Sequence, residues 1–304
     1  MSKMPLIIDT DPGIDDAVAL AIALNNIALD IKLITTVAGN VNVDHTTDNM
    51  LKLLEFFNKR IPVAKGTERP LLKEYEDASE YHGETGLNGY EFPKVKTKAV
   101  NRHAVEELRS TILNSKEKIK LIAIGPLTNI ALLVTMYPEV KENISELVIM
   151  GGSISQGNTT SSAEFNIYVD PHAAQIVLQS GLNITMFGLN VTSRAILTKE
   201  DIIKIKECGS VGYMLYSLLS YYRGGSIEKG LRMHDVCTIA YLLKPEIFEF
   251  KNTYVEVALE GPAIGTTVAD LNMKYHKKCN VNMCMDIDYD KFRELILNEI
   301  IKIS

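Results

Sequence analysis

The stretch Leu6-Ile7-Ile8-Asp9-Thr10-Asp11-Pro12-Gly13-Ile14-Asp15-Asp16-Ala17 decides the fold of this 304-residue chain. Its apolar start reads as a buried strand, and the small apolar run from Ala17 to Leu24 reads as a helix, so the turn between them carries four aspartates. One Asp at such a turn is accounted for as an N-cap that satisfies free N–H groups and the positive helix end. Capping cannot employ all four. Desolvating like charges this close costs several kcal/mol each unless a cation or proton neutralises them, which points to a hard metal ion held by carboxylate oxygens.

Outward from this turn the same rhythm of apolar strand, turn and helix repeats. Strands are predicted at Pro5–Ile8, Ile31–Ala38, Lys120–Ile124, Glu146–Met150 and Asn183–Phe187. Helices are predicted at Asp15–Asn25, Asp44–Phe57, Thr128–Met136 and Asp170–Gln179, the last with Asp170 as N-cap, Pro171 at the first helical position and Gly181 past its end. Thr253–Leu259 and Val281–Asp286 read as antiparallel edge strands before a final helix, Asp290–Ile301. The pattern defines an α/β fold: an open, mostly parallel, Rossmann-like sheet with a mixed edge and helices on both faces. No linker or repeat divides the chain, so one large domain over 1–304 is expected. The stretches Gly66–Pro93 and Ser153–Ser162 are long for passive connections, and such loops in compact domains are functional or disordered.

The composition, 46% apolar and 23% charged, fits a globular protein with a sizeable core. A net charge of −6 without a basic stretch argues against nucleic acid or anionic membrane as partner. No apolar run reaches membrane-spanning length and no leader-like N-terminus is seen, so a cytoplasmic location is expected. The cysteines Cys208, Cys237, Cys279 and Cys284 lack metal or disulfide spacing and read as reduced thiols.

In open parallel sheets ligands bind outside the carboxyl ends of the strands. Unusual polar residues fall at those ends repeatedly: Asp9-Thr10-Asp11, Gly39-Asn40, Gly125-Pro126-Leu127-Thr128-Asn129, Met150-Gly151-Gly152 followed by Asn158 and Glu164-Phe165-Asn166, and later Met233-His234-Asp235. The opening aspartate run resembles the signature of the inosine-uridine nucleoside hydrolases. Further matches follow in the family's order, at Val37-Ala38-Gly39-Asn40, His82-Gly83-Glu84-Thr85-Gly86-Leu87, Gly125–Asn129, Met150-Gly151-Gly152, Glu164-Phe165-Asn166 and His234-Asp235. They span nearly the whole chain. The first is highly specific, and the others are weak singly and strong in sequence. One departure is Asn190 in Gly188-Leu189-Asn190-Val191-Thr192, where an aspartate is expected.

The resemblance implies the nucleoside hydrolase fold and hydrolysis of the N-glycosidic bond of ribonucleosides, with a calcium ion gripping the ribose diol. The residues suit that task. Breaking such a bond passes through an oxocarbenium-like state that needs an activated water, a stabilised ribose cation and a neutralised leaving base. The available ligands are carboxylates and carbonyls, which a hard ion prefers. By resemblance, Asp11, Asp16, Asp235 and the main-chain carbonyl of Thr128 coordinate calcium, and Asp11 doubles as general base. Asp15 and Asn40 hold ribose hydroxyls or orient the water, Asn158, Glu164 and Asn166 fix the 3′ and 5′ oxygens, and Asp9 supports the turn. His234 is the acid for the departing base, an imidazole being able to protonate a ring nitrogen near neutral pH; the bland alternative is an ordinary surface or core histidine.

His82 is placed near the nucleobase, against its reading as a solvated loop histidine. Tyr221, Tyr222 and Arg223 precede Gly224-Gly225 in a segment expected to cover the base, with Tyr222 stacking on it or packing in the core. Relatives restricted to purine nucleosides stack the base on tryptophan; this chain has none, so a uridine, inosine or cytidine type is favoured. The resemblance also implies a homodimer or homotetramer. Two rivals differ in chemistry. A haloacid-dehalogenase-like phosphatase also places Asp-x-Asp after its first strand but leaves Asp15-Asp16, Glu164–Asn166 and His234-Asp235 unexplained. A non-catalytic nucleoside-binding protein would need neither the metal carboxylates nor His234.

Overall fold

The computed structural model describes residues 3–303. Nine strands form one sheet: β1 (Met4–Thr10), β2 (Leu29–Thr36), β3 (Val63–Lys65), β4 (Ile119–Ala123), β5 (Ile144–Met150), β6 (Ile184–Phe187), then β9 (Phe248–Val257), β10 (Thr267–Asp270) and β11 (Val281–Ile287). The short β7 (Ile196–Leu197) and β8 (Leu231–Arg232) pair separately. The spatial order is β10-β9-β11-β6-β5-β4-β1-β2-β3, with β9 running antiparallel to both neighbours and every other pairing parallel.

Alternation along the central strands explains the layering. Leu6 and Ile8 of β1 join one core cluster, built with helices Ile14–Asn25, Gly209–Tyr221, Val236–Leu243 and Tyr289–Ile303, whereas Ile7 joins a second cluster with helices Ala104–Asn114, Thr128–Met136 and Pro171–Leu178. Successive side chains point to opposite faces, so an unbroken apolar run is what a sheet covered on both sides requires.

The predicted elements are present with ends shifted by at most two residues, except that the strand predicted from Thr253 begins five residues earlier, at Phe248. Asp170 caps helix Pro171–Leu178 by accepting from the Ala173 N–H at 3.0 Å, and Gly181 follows at φ +81°. The C-terminal pair is antiparallel as expected, but its place differs. β11 is an interior strand, parallel to β6 on its far side, and the edge is β10. The sequence reading missed β3 and the helices Ala104–Asn114, Lys199–Lys206 and Gly209–Tyr221.

Strand order reverses at β1: β2 and β3 lie to one side, β4, β5 and β6 to the other. Crossover connections therefore diverge above β1 and β4, leaving a crevice at their carboxyl ends. That is where the aspartate run and Ile124-Gly125 emerge.

Candidate active site

A cavity of roughly 320 Å³ opens at this crevice, within the span of about 300–1,000 Å³ common for small-molecule sites. Its wall takes Asp15, Asn40, His82, Asn158, Glu164, Asn166, Tyr222, His234 and Asp235, all singled out from the sequence. The two long loops each contribute, through His82 and Asn158.

Three members of the acidic set meet closely. Asp15, Asp16 and Asp235 each offer an oxygen within 4.8 Å of the others, and all three are buried. Asp16 also caps the first helix. Its Oδ2 accepts from the Gly13 N–H at 2.9 Å and Asn40 Nδ2 at 3.1 Å, while Oδ1 accepts from the Thr10 hydroxyl at 2.7 Å. Asp11 lies behind the wall, fully buried. Its Oδ2 accepts from the Asn40 N–H at 2.7 Å, and its Oδ1 has no hydrogen-bond partner among the described residues. Gly39 permits this approach, because a Cβ there would sit 2.0 Å from Asp11 Oδ2. Asp9 points elsewhere, accepting from Thr35 and Asn129 side chains, and so braces the strand end.

The electrostatics follow from burial without countercharge. Burial raises the Asp15 carboxyl to about 7, with the Asp16 charge adding to it. Asp11 and Asp235 are held well above the carboxylate range, by burial first and then by neighbouring aspartates. Burial raises Asp16 as well. Oxygens this close demand protons or a cation between them. The donor set is all oxygen, and one buried lone-pair bearer, Asp11 Oδ1, is unsatisfied, so the residues fit a hard divalent ion.

Thr128 does not join them. It opens helix Thr128–Met136, and its hydroxyl donates to Asp170 Oδ2 at 2.8 Å. A first-turn carbonyl points along the helix, away from its N-terminus, so the expected ligand role is geometrically poor. Ile124, at the end of β4, lines the cavity instead, and its carbonyl accepts from Asn166 Nδ2 at 3.1 Å. The same amide reaches the Met150 carbonyl, tying the ends of β4 and β5 together. Glu164 caps helix Phe165–Val169 by accepting from the Asn166 and Ile167 N–H groups, it also accepts from the Gly152 N–H after β5, and burial lifts its carboxyl to about 7.

His82 is not a solvated loop residue. It is 5% exposed, and its Nδ1 accepts from the Ile14 N–H at 3.0 Å. A main-chain N–H can only donate, so the ring proton resides on Nε2. Gly13 leaves room for this contact, since a Cβ there would lie 2.6 Å from His82 Nδ1. Burial, then the neighbouring His234, depresses His82 to about 3. Burial and Arg232 depress His234 to about 4. The Tyr222 ring lies 5.2 Å from His82, whereas Tyr221 and Arg223 are outside the wall, the Arg223 N–H donating to the Tyr81 carbonyl. Asn190 is likewise outside. Its amide donates to the Cys284 carbonyl on β11 at 3.0 Å, which an aspartate could not do. Arg232 and Ile124 were missed from sequence: a two-residue strand carries no periodicity, and a carbonyl leaves no trace in residue type.

The sequence matches the family model "Inosine-uridine preferring nucleoside hydrolase" over residues 6–294. It is 47% identical over 292 residues to the non-specific ribonucleoside hydrolase RihC of Klebsiella pneumoniae subsp. pneumoniae, covering 96% of each chain. Its structure superposes on the purine-preferring ribonucleoside hydrolase from Gardnerella vaginalis with a TM-score of 0.92 at 27% identity, covering 98% of both. A plant nucleoside hydrolase, PpNRh1, gives 0.91 at 30% identity, with 98% of both covered. The chain belongs to the inosine-uridine preferring nucleoside hydrolase family. Its class is that of ribonucleoside hydrolases, N-glycosyl hydrolases that release a nucleobase.

Proposed function

We propose that this enzyme is a calcium-dependent hydrolase of broad ribonucleoside range, acting on inosine, uridine and cytidine. The observation that carries the metal assignment is the convergence of buried, uncompensated carboxylates below a cavity at the sheet's switch point. Asp16 and Asp235, two of the three carboxylates that meet, hold the ion together with Asp11, whose buried Oδ1 is free for it, and the Ile124 carbonyl stands in place of Thr128. A calcium ion bound there would supply charge compensation and lower the pKa of a bound water, and it would offer a hard centre for sugar hydroxyls.

Asp11 takes the proton of the attacking water. Its unpartnered Oδ1 is the basic atom, and Asn40 fixes its other oxygen. Asp15 and Asn40 orient sugar or water. Asn158, Glu164 and Asn166 hold the remaining ribose oxygens, with Glu164 already fixed by three N–H donors. His234 delivers a proton to the leaving base, and His82 and Tyr222 bound the base itself. Broad range is supported by the 47% identity to a relative named non-specific and by the absence of tryptophan. A cytoplasmic location and a dimer or tetramer complete the proposal.

The test is reducing-sugar release from inosine, uridine, cytidine, adenosine and a 2′-deoxynucleoside, with calcium supplied, alongside elemental analysis. Wild type should release ribose from several ribonucleosides and little from the deoxy compound, with one calcium per chain. Asp11→Ala should fold and lose at least about 10²-fold in kcat. Near-normal turnover in that variant would remove Asp11 as base, and zinc in the protein would overturn the ligand assignment.

A further inference from the structure

Thr192 closes the short helix Leu189–Thr192, whose Leu189 N–H donates to the Gly152 carbonyl at 2.8 Å beyond the end of β5. Its side chain is fully buried, yet it carries a hydroxyl where valine would fill the same space. The one side-chain partner of that hydroxyl among the described residues is His234 Nδ1, at 2.8 Å. The backbone holds the two together. Ile196 pairs with Arg232, Leu197 with Leu231, and the Met233 N–H donates to the Ala195 carbonyl at 2.8 Å. The two-stranded sheet therefore clamps the segment after Thr192 against the segment before His234.

We propose that Thr192 is a positioning residue: its hydroxyl donates to Nδ1 of His234 and holds the ring as the Nε2–H tautomer, with that N–H presented to the cavity. The direction of the bond follows from satisfaction. Were Nδ1 to carry the proton, the threonine oxygen would accept it and the hydroxyl's own hydrogen would be buried without an acceptor. The arrangement parallels His82, whose Nδ1 accepts from the Ile14 N–H. Both cavity imidazoles are thus held through Nδ1 by a donor and keep Nε2–H for a ligand. The inference rests on the proposed role of His234 at the leaving base: the neutral ring gives its Nε2–H as a hydrogen bond to the base nitrogen, and full transfer of that proton would be matched by a solvent proton taken up at Nδ1, with the Thr192 oxygen then accepting.

Two readouts test it on the full-length, calcium-loaded enzyme. Long-range ¹H–¹⁵N spectra of the imidazoles, with His234→Ala assigning the signal, should show Nε2–H in wild type and Thr192→Ser, and mixed tautomers in Thr192→Val. Thr192→Val should lower kcat for inosine and uridine by about tenfold to a hundredfold while sparing p-nitrophenyl riboside, whose leaving group needs no acid, and Thr192→Ser should recover most of the loss. A pure Nε2–H signal in Thr192→Val, or equal losses on both substrate types, would overturn the positioning role. His234→Ala separates the two claims. A nucleoside-selective loss there with an unaffected Thr192→Val refutes Thr192 alone. Equal loss on both substrates in His234→Ala refutes the acid assignment, and the spectra then decide the tautomer claim by themselves.

Discussion

With calcium bound as proposed, the buried acids would make stability, metal and pH interdependent. A carboxyl raised in the folded state gives stability that is present below its unfolded pKa and lost as pH rises through the folded value. Asp9, Asp15 and Glu164 each lie at about 7, so between pH 6.5 and 8 each costs about 0.8 kcal/mol, roughly 2.4 kcal/mol together. His82 and His234 oppose this. Their folded values are depressed, so their contribution grows as pH rises through the unfolded value, but only about 0.8 kcal/mol for the pair remains above pH 6.5. Chelated protein should therefore melt lower at pH 8 than at pH 6.5. Burial and neighbouring aspartates raise Asp11 and Asp235 as well, so a bound calcium would compete with protons for the same oxygens. Each displaced proton adds about 2 kcal/mol to calcium's stabilisation over that interval, or about 4 °C in Tm for a chain of this size. Differential scanning calorimetry in chelator and in saturating calcium at both pH values measures the four melting points. A calcium-induced Tm shift equal at both pH values would mean the cluster is already ionised without metal, and the charge argument would be wrong.

Other expectations concern particular atoms. Gly39→Ala places a Cβ 2.0 Å from Asp11 Oδ2 and should cut kcat by about 10²-fold or more and weaken calcium binding by calorimetry while the fold persists; wild-type values would show that the carboxylate need not stay where it is. Asn190→Asp removes the donor to the Cys284 carbonyl and should cost about 1–3 kcal/mol by urea denaturation with little change in kcat, and an unaltered midpoint would count against that bond as the reason for the asparagine.

The parts legible in the sequence were those where one residue type has one physical use at one place. An uninterrupted Leu6-Ile7-Ile8 run can only be buried on both faces, and four aspartates in one turn cannot all be caps. The wall residues read from motifs at strand ends converge because a parallel sheet brings every such end to one rim. Legibility failed where geometry outruns residue type. Val281–Ile287 has the alternation of a half-exposed strand, and nothing local announces that its far side pairs with β6. For His82 the sequence offered a place near the base and a solvated loop histidine side by side, because the contact that buries it, the Ile14 N–H, is 68 residues away and belongs to the backbone.

The proposed exchange of Thr128 for Ile124 as carbonyl ligand illustrates the same limit. Threonine after a glycine turn reads as the polar member of its motif, so a ligand role attaches to it by type. Once the chain folds, that threonine starts a helix, and helix geometry commits its carbonyl to the turn above while its hydroxyl goes to Asp170. Ile124, which has no polar side chain, lines the cavity just past the end of β4, and its carbonyl, beyond the last strand pairing, accepts from the Asn166 side chain instead. A switch point therefore supplies oxygen in two currencies: side-chain carboxylates, which the sequence displays, and strand-end carbonyls, which only the topology creates.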